Sequence, residues 1–314
     1  MHLDVFILSY NRADFLRETL ESFLQQSFQG FRLIILDNAS TDDTAAVVDS
    51  FAERRPIIFH RQQENVGALK NFLQIQTLAE ADWVMAFHDD DILHPRYLEH
   101  CMEVLVQNPE CRLVASNYSG MTHPDLPVLA AQSFDKNFWR LKNAAHLASF
   151  CYTINKVHFG SVIYRRECLR EISASQIVCF GKMLDRPLMI STLLGGGAAV
   201  IFKAPFIQYR LHSAQDSQSP LSGPFLNEAI ALTRFYAEVM GKNWRTSAGR
   251  CFLVNNRGYL KGLYKWCTDR DSQRFSNFVF KAYTQGVATL LSFVPRPLMR
   301  IVKKAFRLID SDFF

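Results

Sequence analysis

The chain has 314 residues, 48% of them hydrophobic, and a formal charge of +5. That length allows one large domain or a domain with a smaller appendage, and the apolar share is enough for a core. So mild a positive charge, weighted toward the C-terminal end, excludes a general nucleic-acid binder. Seven cysteines, at 101, 111, 151, 168, 179, 251 and 267, are scattered and form no C-x-x-C pair. A disulfide framework and a cysteine zinc site are therefore excluded, and a reducing cytosol fits best. The opening "MHLDVFILSYNR" has no basic start and too short an apolar stretch for a signal peptide. The longest later apolar run, "GVATLLSFV", is far below the roughly 20 residues that span a bilayer. The expectation is a cytoplasmic protein without a transmembrane segment.

Taken in order, the segments alternate. "DVFILS" predicts a buried strand, and "NRADFLRETLESFLQQS" a helix capped by Asn11, with Phe15, Leu16, Leu20, Phe23 and Leu24 on one face. "FRLIILD" is the second strand. "STDDTAAVVDSFAER" is a helix opened by Ser40, with acidic residues where the helix dipole favours them. "PIIFHRQ" is the third strand, "VGALKNFLQIQTLAEA" a helix after Asn65 and Gly67, and "DWVMAFH" the fourth strand. "PRYLEHCMEVLVQN" is a helix with Pro95 in its first turn, and "CRLVASNY" the fifth strand. Alternation of this kind implies an α/β fold: a Rossmann-like, mostly parallel sheet with helices on both faces.

Ligands of such sheets gather where the strands end. The first strand delivers Ser9, Tyr10 and Asn11 to that rim, the second Asp37 and Asn38, and the fourth three consecutive aspartates in "VMAFHDDDILHP". Adjacent carboxylates repel one another, so a tight cluster implies either a bound cation or a solvated turn. Convergence of three polar groups on one rim favours the cation. Asp37 can accept an N–H without donating in return, and Tyr10 can stack on a flat partner, with the backbone around Ser9 beside it. The alternatives are simple rim packing for Tyr10 and an Asx-type turn for Asp37.

Further on, "FGSVIYRRECL" reads as a strand entering a helix, "LDRPLMISTLLGG" as a helix ended by glycines, and "AAVIFKAPFIQYRLH" as strand broken by Pro205. "SAQDSQSPLSGP" reads as a flexible loop. Beyond it, residues 221–314 read as a mainly helical, basic extension to a domain spanning 1–220. Within the extension, 295–309 forms an amphipathic stripe flanked by Arg300, Lys303, Lys304 and Arg307. Such a helix can lie in an anionic membrane interface or dock against protein.

The segments "VFILSYNR", "LIILDNASTDDT", "ENVGALKN", "AFHDDDILHP", "LDRP" and "YRLHSAQDS" resemble, in order and spacing, the family-2 nucleotide-sugar glycosyltransferases of the GT-A fold, of the bacterial surface-polysaccharide type. The resemblance covers about residues 3–219. It implies a UDP-sugar donor, whose pyrimidine base would donate an N–H to Asp37, stack on Tyr10 and meet the backbone around Ser9, together with a glycan or lipid-linked acceptor, a Mn²⁺ or Mg²⁺ cofactor and an inverting transfer. It puts Asp90 at the metal-ligating end of the D-x-D motif, with Asp89 near the ribose and Asp91 in support. His88 stands where the family usually has the first aspartate. Asn65, Gly67, Lys70 and Asn71 match the segment near the nucleotide, with a solvated face as the alternative for Lys70. Asp185 matches the general base, although Leu184 replaces its usual acidic partner; a helix N-cap is the alternative. His212 matches a metal ligand and Arg210 a diphosphate contact, the alternative for Arg210 being a carboxylate of the fold. His60, His100, His123, His146 and His158 have no such context and read as surface or packing residues.

Two other classes compete. A phosphotransferase with an aspartyl nucleophile would carry D-x-D after the first strand, where this chain has "SYNR". A non-catalytic sugar-nucleotide or glycan-binding module would have lost Asp90 or Asp185, and both are present.

Overall fold

A computed structural model describes residues 2–121, 136–153, 157–212 and 224–241. The chain divides into two compact units, Met1–Val178 with Leu188–Pro220, and Cys179–Pro187 with Leu221–Phe314.

The first half of the larger unit alternates β1 (Leu3–Ser9), α1 (Ala13–Leu24), β2 (Phe31–Asp37), α2 (Thr44–Ala52) and β3 (Ile57–Arg61). Then come α3 (Ala68–Leu73), α4 (Ile75–Leu78), β4 (Trp83–His88), β5 (Ile92–Leu93), α5 (Tyr97–Gln107) and β6 (Cys111–Met121). β7 (Phe138–Leu141), α6 (Ala144–Thr153), β8 (Ile163–Arg165), α7 (Arg166–Arg170) and α8 (Ala174–Ile177) follow. α9 (Asp185–Ser191), β9 (Ala198–Arg210) and α10 (Pro224–Met240) complete the described elements. The strands form one sheet in the order β3-β2-β1-β4-β8-β6-β9-β5, with β7 also on β9. β3, β2, β1 and β4 are mutually parallel, and β6 is parallel to β9; β8, β5 and β7 run antiparallel to their neighbours.

The parallel strands read as near-continuous apolar runs because they are buried on both faces. In β1 only Leu8 is less than fully buried. α1 covers the sheet with Leu16, Leu20 and Phe23. The Phe23 ring meets Phe87 of β4 edge-on at 5.0 Å between centroids, and Phe31 of β2 at 6.1 Å. Each such buried side chain contributes roughly 1.5–3 kcal/mol.

Several expectations change. Asn11 does not cap α1: the cap position is Arg12, and Asn11 is left-handed at φ 51°. Ser40 does not open α2, whose cap is Asp43. Both side chains are drawn instead into the rim described below. The helix expected after Gly67 is two short helices that meet at Gln74. Pro205 does not break β9, because it stands opposite Asn117 at a shift of register, where the missing N–H costs no ladder bond. The segment after the aspartates adds a short strand, β5, paired with β9.

Among the described residues no helix is long and apolar enough to cross a membrane. Cys101, Cys111, Cys151 and Cys168 are buried, and Cys179 is exposed. The loop from 213 to 223, the stripe 295–309 and His123 lie outside the described residues. In the smaller unit Phe180 packs its ring 5.4 Å from that of Phe235 on α10. Gly181 there has φ 49°, a left-handed conformation that favours glycine.

At the opposite end of the sheet from the rim, Asp4 is fully buried at the start of β1. Its carboxylate accepts from Arg32 Nε at 2.7 Å and Nη2 at 2.8 Å, and from the backbone N–H groups of Glu80 and Ala81 at 2.7 and 2.9 Å. Burial disfavours the charge, but Arg32 and the two amides outweigh it and hold the carboxyl below its ordinary value. The group is more acidic folded than unfolded, so its stabilisation is complete above about pH 4 and is lost as pH falls through the folded value. Asp4→Asn is expected to cost about 3 kcal/mol in urea unfolding at neutral pH. The same substitution should shrink the loss of stability of the wild type on acidification below about pH 4.

Candidate functional site

The register of the parallel strands brings the chemistry together. Ser9 pairs with Asp37, Leu8 with His88, and Asp37 with Arg61, so the ends of β1, β2, β3 and β4 form one ledge. Two residues on it are left-handed without being glycine, Asn11 at φ 51° and Ala39 at φ 64°. Such backbone costs of order 1–3 kcal/mol and persists where its surroundings over-determine it. Those surroundings are visible: Asn11 N–H donates to Ser40 Oγ at 2.9 Å, and Asn11 Oδ1 accepts from Thr41 N–H at 2.7 Å.

Asp37 is buried. Its Oδ1 accepts from the Ser40 hydroxyl at 2.5 Å and both oxygens from the Ser40 amide at 3.2 Å, while Arg61 Nε lies 3.4 Å from Oδ2. The Asx-type turn is therefore present; a carboxylate has about four acceptor positions, so it does not exhaust the group. Asn38 ties the next loop to the ledge, donating to Asn65 Oδ1 at 2.8 Å and accepting from Val66 N–H at 2.9 Å. Asn71 is buried and donates to the Leu36 carbonyl at 2.9 Å. Lys70 is exposed on α3, and the Tyr10 ring is 43% exposed at the rim, open to a stacking partner.

Asp89, Asp90 and Asp91 are all buried. Three buried carboxylates need polar or charged partners, and the structure supplies two sets. On one side Arg12 Nη1 donates to Asp89 Oδ1 at 3.1 Å and to Asp90 Oδ2 at 3.0 Å, and His212 Nε2 lies 3.0 Å from the same Asp90 oxygen. Asp89 Oδ2 also accepts from the Tyr10 amide at 3.0 Å. On the other side Asp91 Oδ2 is buried with no hydrogen bond, facing His158 Nε2 at 3.4 Å and His88 Nδ1 at 3.8 Å. Arg210 is buried against the whole turn. Its amide donates to Asp91 Oδ1 at 3.0 Å, its Nε to the Asp90 carbonyl at 2.9 Å and its Nη2 to Glu18 Oε2 at 2.5 Å, with the guanidinium over the Phe15 ring. Both the carboxylate of the fold and the backbone of the acidic turn thus hold Arg210.

The aspartates titrate differently. Burial pushes the Asp89 carboxyl up to about 6; Arg12 opposes the rise, Asp90 adds to it, and the Tyr10 amide and Ser9 hydroxyl oppose it. Asp91 is held below its ordinary value, because the two imidazoles and the Arg210 amide outweigh the penalty of burial. His88 shifts the other way: burial works against its charge, yet Asp91, with Asp90 and Asp89, raises it.

The side chains suit a divalent cation. His88, Asp91 and His158 offer ligand atoms within 4.8 Å of one another, and Asp90 and His212 share a contact. Imidazole with carboxylate fits Mn²⁺ readily, while Mg²⁺ prefers oxygen alone. His158 is buried and packs its ring against Tyr118 and Tyr209, in keeping with its reading as a packing residue, and it faces Asp91 as well. β8 runs antiparallel to β4, with Met85 opposite Ile163, so the residues leading into β8 lie beside the end of β4. Arg12 also went unassigned from sequence, although it directly follows the ledge.

Asp185 lies in the smaller unit, at the first position of α9, partly exposed. Its Oδ1 accepts from the Arg186 amide at 2.9 Å, and Oδ2 pairs with the Arg186 guanidinium.

This architecture is the GT-A fold. The structure aligns with Staphylococcus aureus TarS 1–349 solved in complex with UDP-GlcNAc, at a TM-score of 0.65 and 15% identity, over 94% of this chain and 82% of that one. It also aligns with the mannosyltransferase PcManGT of Pyrobaculum calidifontis, solved with GDP-Man and Mn²⁺, at a TM-score of 0.52 and 14% identity over 93% and 88% of the two chains. Residues 4–173 match Glycosyl transferase family 2, and the chain belongs to that family. Abequosyltransferase RfbV of Salmonella typhimurium is 38% identical over 91 residues, 28% of this chain and 27% of that protein. An uncharacterized protein of Mycobacterium tuberculosis, Rv1520, is 28% identical over 221 residues, 67% of this chain and 59% of its own length. In each case the match spans under two thirds of the relative.

The pairing of Asp91 with two imidazoles gives a direct expectation. In Asp91→Asn the His88 ring loses its main source of positive shift and should titrate at lower pH, as read from imidazole proton resonances.

Proposed function

We propose that this chain is an inverting, metal-dependent glycosyltransferase that moves a sugar from a UDP-sugar to a hydroxyl of a glycan or lipid-linked acceptor in surface-polysaccharide synthesis. The observation that carries the reading is the shared ledge. Asp37 stands at the end of β2, and Asp89 and Asp90 at the end of β4, the parallel strands on either side of β1, where α/β sheets bind nucleotides, in a chain of this family. Asp37 accepts from the base, Tyr10 stacks on it, and Ser9, Asn11 and Asn65 shape the loop around it. Asp89 meets the ribose hydroxyls, and Lys70 reaches toward phosphate.

Asp90 would hold a Mn²⁺ or Mg²⁺ ion, with His212 beside it and Asp91 in support. When bound, such an ion takes up charge developing on the diphosphate, a contribution of several kcal/mol. Arg210 fixes the turn that carries these ligands and adds positive potential toward the diphosphate. Asp185 is the general base. The acceptor oxygen attacks the anomeric carbon, its proton passes to Asp185, and the bond to phosphate breaks with its electron pair leaving on UDP. Direct displacement of this kind inverts the anomeric centre. Arg186 engages Asp185 within the same turn, so an acceptor hydroxyl has to compete for that carboxylate. The reading places the protein in the cytoplasm, with 295–309 as a segment that could touch the inner membrane face.

Two measurements test this. Mn²⁺-dependent release of UDP from UDP-sugars should fall by about 10²–10⁴-fold in Asp185→Asn while UDP binding persists. Unchanged turnover would remove Asp185 from the mechanism. In Asp90→Ala the metal dependence should vanish; a variant that still needs Mn²⁺ and turns over normally would defeat the metal assignment.

A further inference from the structure

We propose that Arg12 is a resident counter-ion of the acidic ledge, which occupies Asp90 until a divalent cation and a nucleoside diphosphate arrive together, and then passes to the diphosphate. This deepens the function proposed above and rests on it. The placement is specific: one nitrogen, Nη1, lies 3.1 Å from Asp89 Oδ1 and 3.0 Å from Asp90 Oδ2. Asp90 Oδ2 is also the oxygen that His212 meets at 3.0 Å. A cation held by Asp90 and His212 needs that oxygen, so Arg12 and the cation compete for it.

The competition is strong because the oxygens are buried. Like charges in contact repel far more in a poorly hydrated site than in water. Arg12 has a way out that its partners lack: its side chain is 23% exposed, against 1% for Asp89 and 6% for Asp90. It lies between the left-handed Asn11 and the first residue of α1, on the rim rather than beneath it. Arg210 is not placed to move, since Glu18, the Asp90 carbonyl and the Phe15 ring hold it. A guanidinium displaced from carboxylates is suited to phosphate, which its fork of donors can grip in a bidentate manner.

The consequence is linkage. The cation alone has to displace Arg12 without compensation and binds weakly, whereas with the diphosphate the guanidinium gains a new partner. Each ligand therefore tightens the other by the same factor. The test measures free Mn²⁺ by its electron paramagnetic resonance at pH 8, on the full chain, with and without saturating UDP. Arg12→Gln should bind Mn²⁺ alone about tenfold tighter than wild type and show a correspondingly smaller tightening by UDP. Arg12→Lys, which keeps the charge, should stay near wild type. In wild-type protein the Arg12 Nε–H resonance, identified by its absence from Arg12→Lys, should shift with Mg²⁺ and UDP together and not with Mg²⁺ alone. This last reading needs no folded Gln variant. A Gln variant with wild-type Mn²⁺ affinity and coupling, or an Nε–H resonance indifferent to Mg²⁺ plus UDP, overturns the assignment of Arg12 alone. Wild-type protein that binds neither Mn²⁺ nor UDP overturns the proposed function and this inference with it.

Discussion

The site depends on three buried carboxylates in succession. A parallel strand buried on both faces has to end in something polar, and β4 ends in Asp89, Asp90 and Asp91 with almost no access to water. Removing one such charge from its partners would cost several kcal/mol. The fold keeps them by surrounding the turn with arginines and imidazoles from distant parts of the sequence: Arg12 after β1, His158 before β8, and Arg210 and His212 at the end of β9. The chain segments meet at this point because their charges have to meet. The groups proposed to bind a nucleotide are therefore largely those that hold the sheet ends together.

The two halves of the ledge differ in how firmly they are built. Around Asp37, Asn38 and Ser40 several hydrogen bonds run from backbone amides, and those at Asn11 hold it in a left-handed conformation. Around Asp89 and Asp90 the Tyr10 amide and Arg210 also take part, but the two carboxylates share one side-chain partner, Arg12, which is partly exposed.

Much of this was legible in the sequence, for identifiable reasons. Apolar runs alternating with amphipathic helices place β1 to β4 and their polar ends, because parallel crossovers leave little freedom in where a strand finishes. The antiparallel strands were harder. Nothing in "HFGSVIYRR" announces that its strand runs against β4, and only that direction brings His158 to Asp91. Asn11 and Ser40 look like helix caps, since both residue types favour that role. Here they bond to each other's loops, because the rim offers partners that a cap does not. Arg12 is invisible for a related reason, as its meaning lies in two aspartates more than seventy positions away.

The cysteines carry a practical consequence. Burial suppresses ionisation of Cys101, Cys111 and Cys168, with Cys111 pushed up to about 11, so these thiols are poor nucleophiles at neutral pH. Cys179 alone among the described cysteines is exposed, and it belongs to the smaller unit, the one that also carries Asp185. A maleimide dye attached there, once Cys251 and Cys267 are replaced by serine, would give a spectroscopic reporter on the part of the molecule that bears the proposed base.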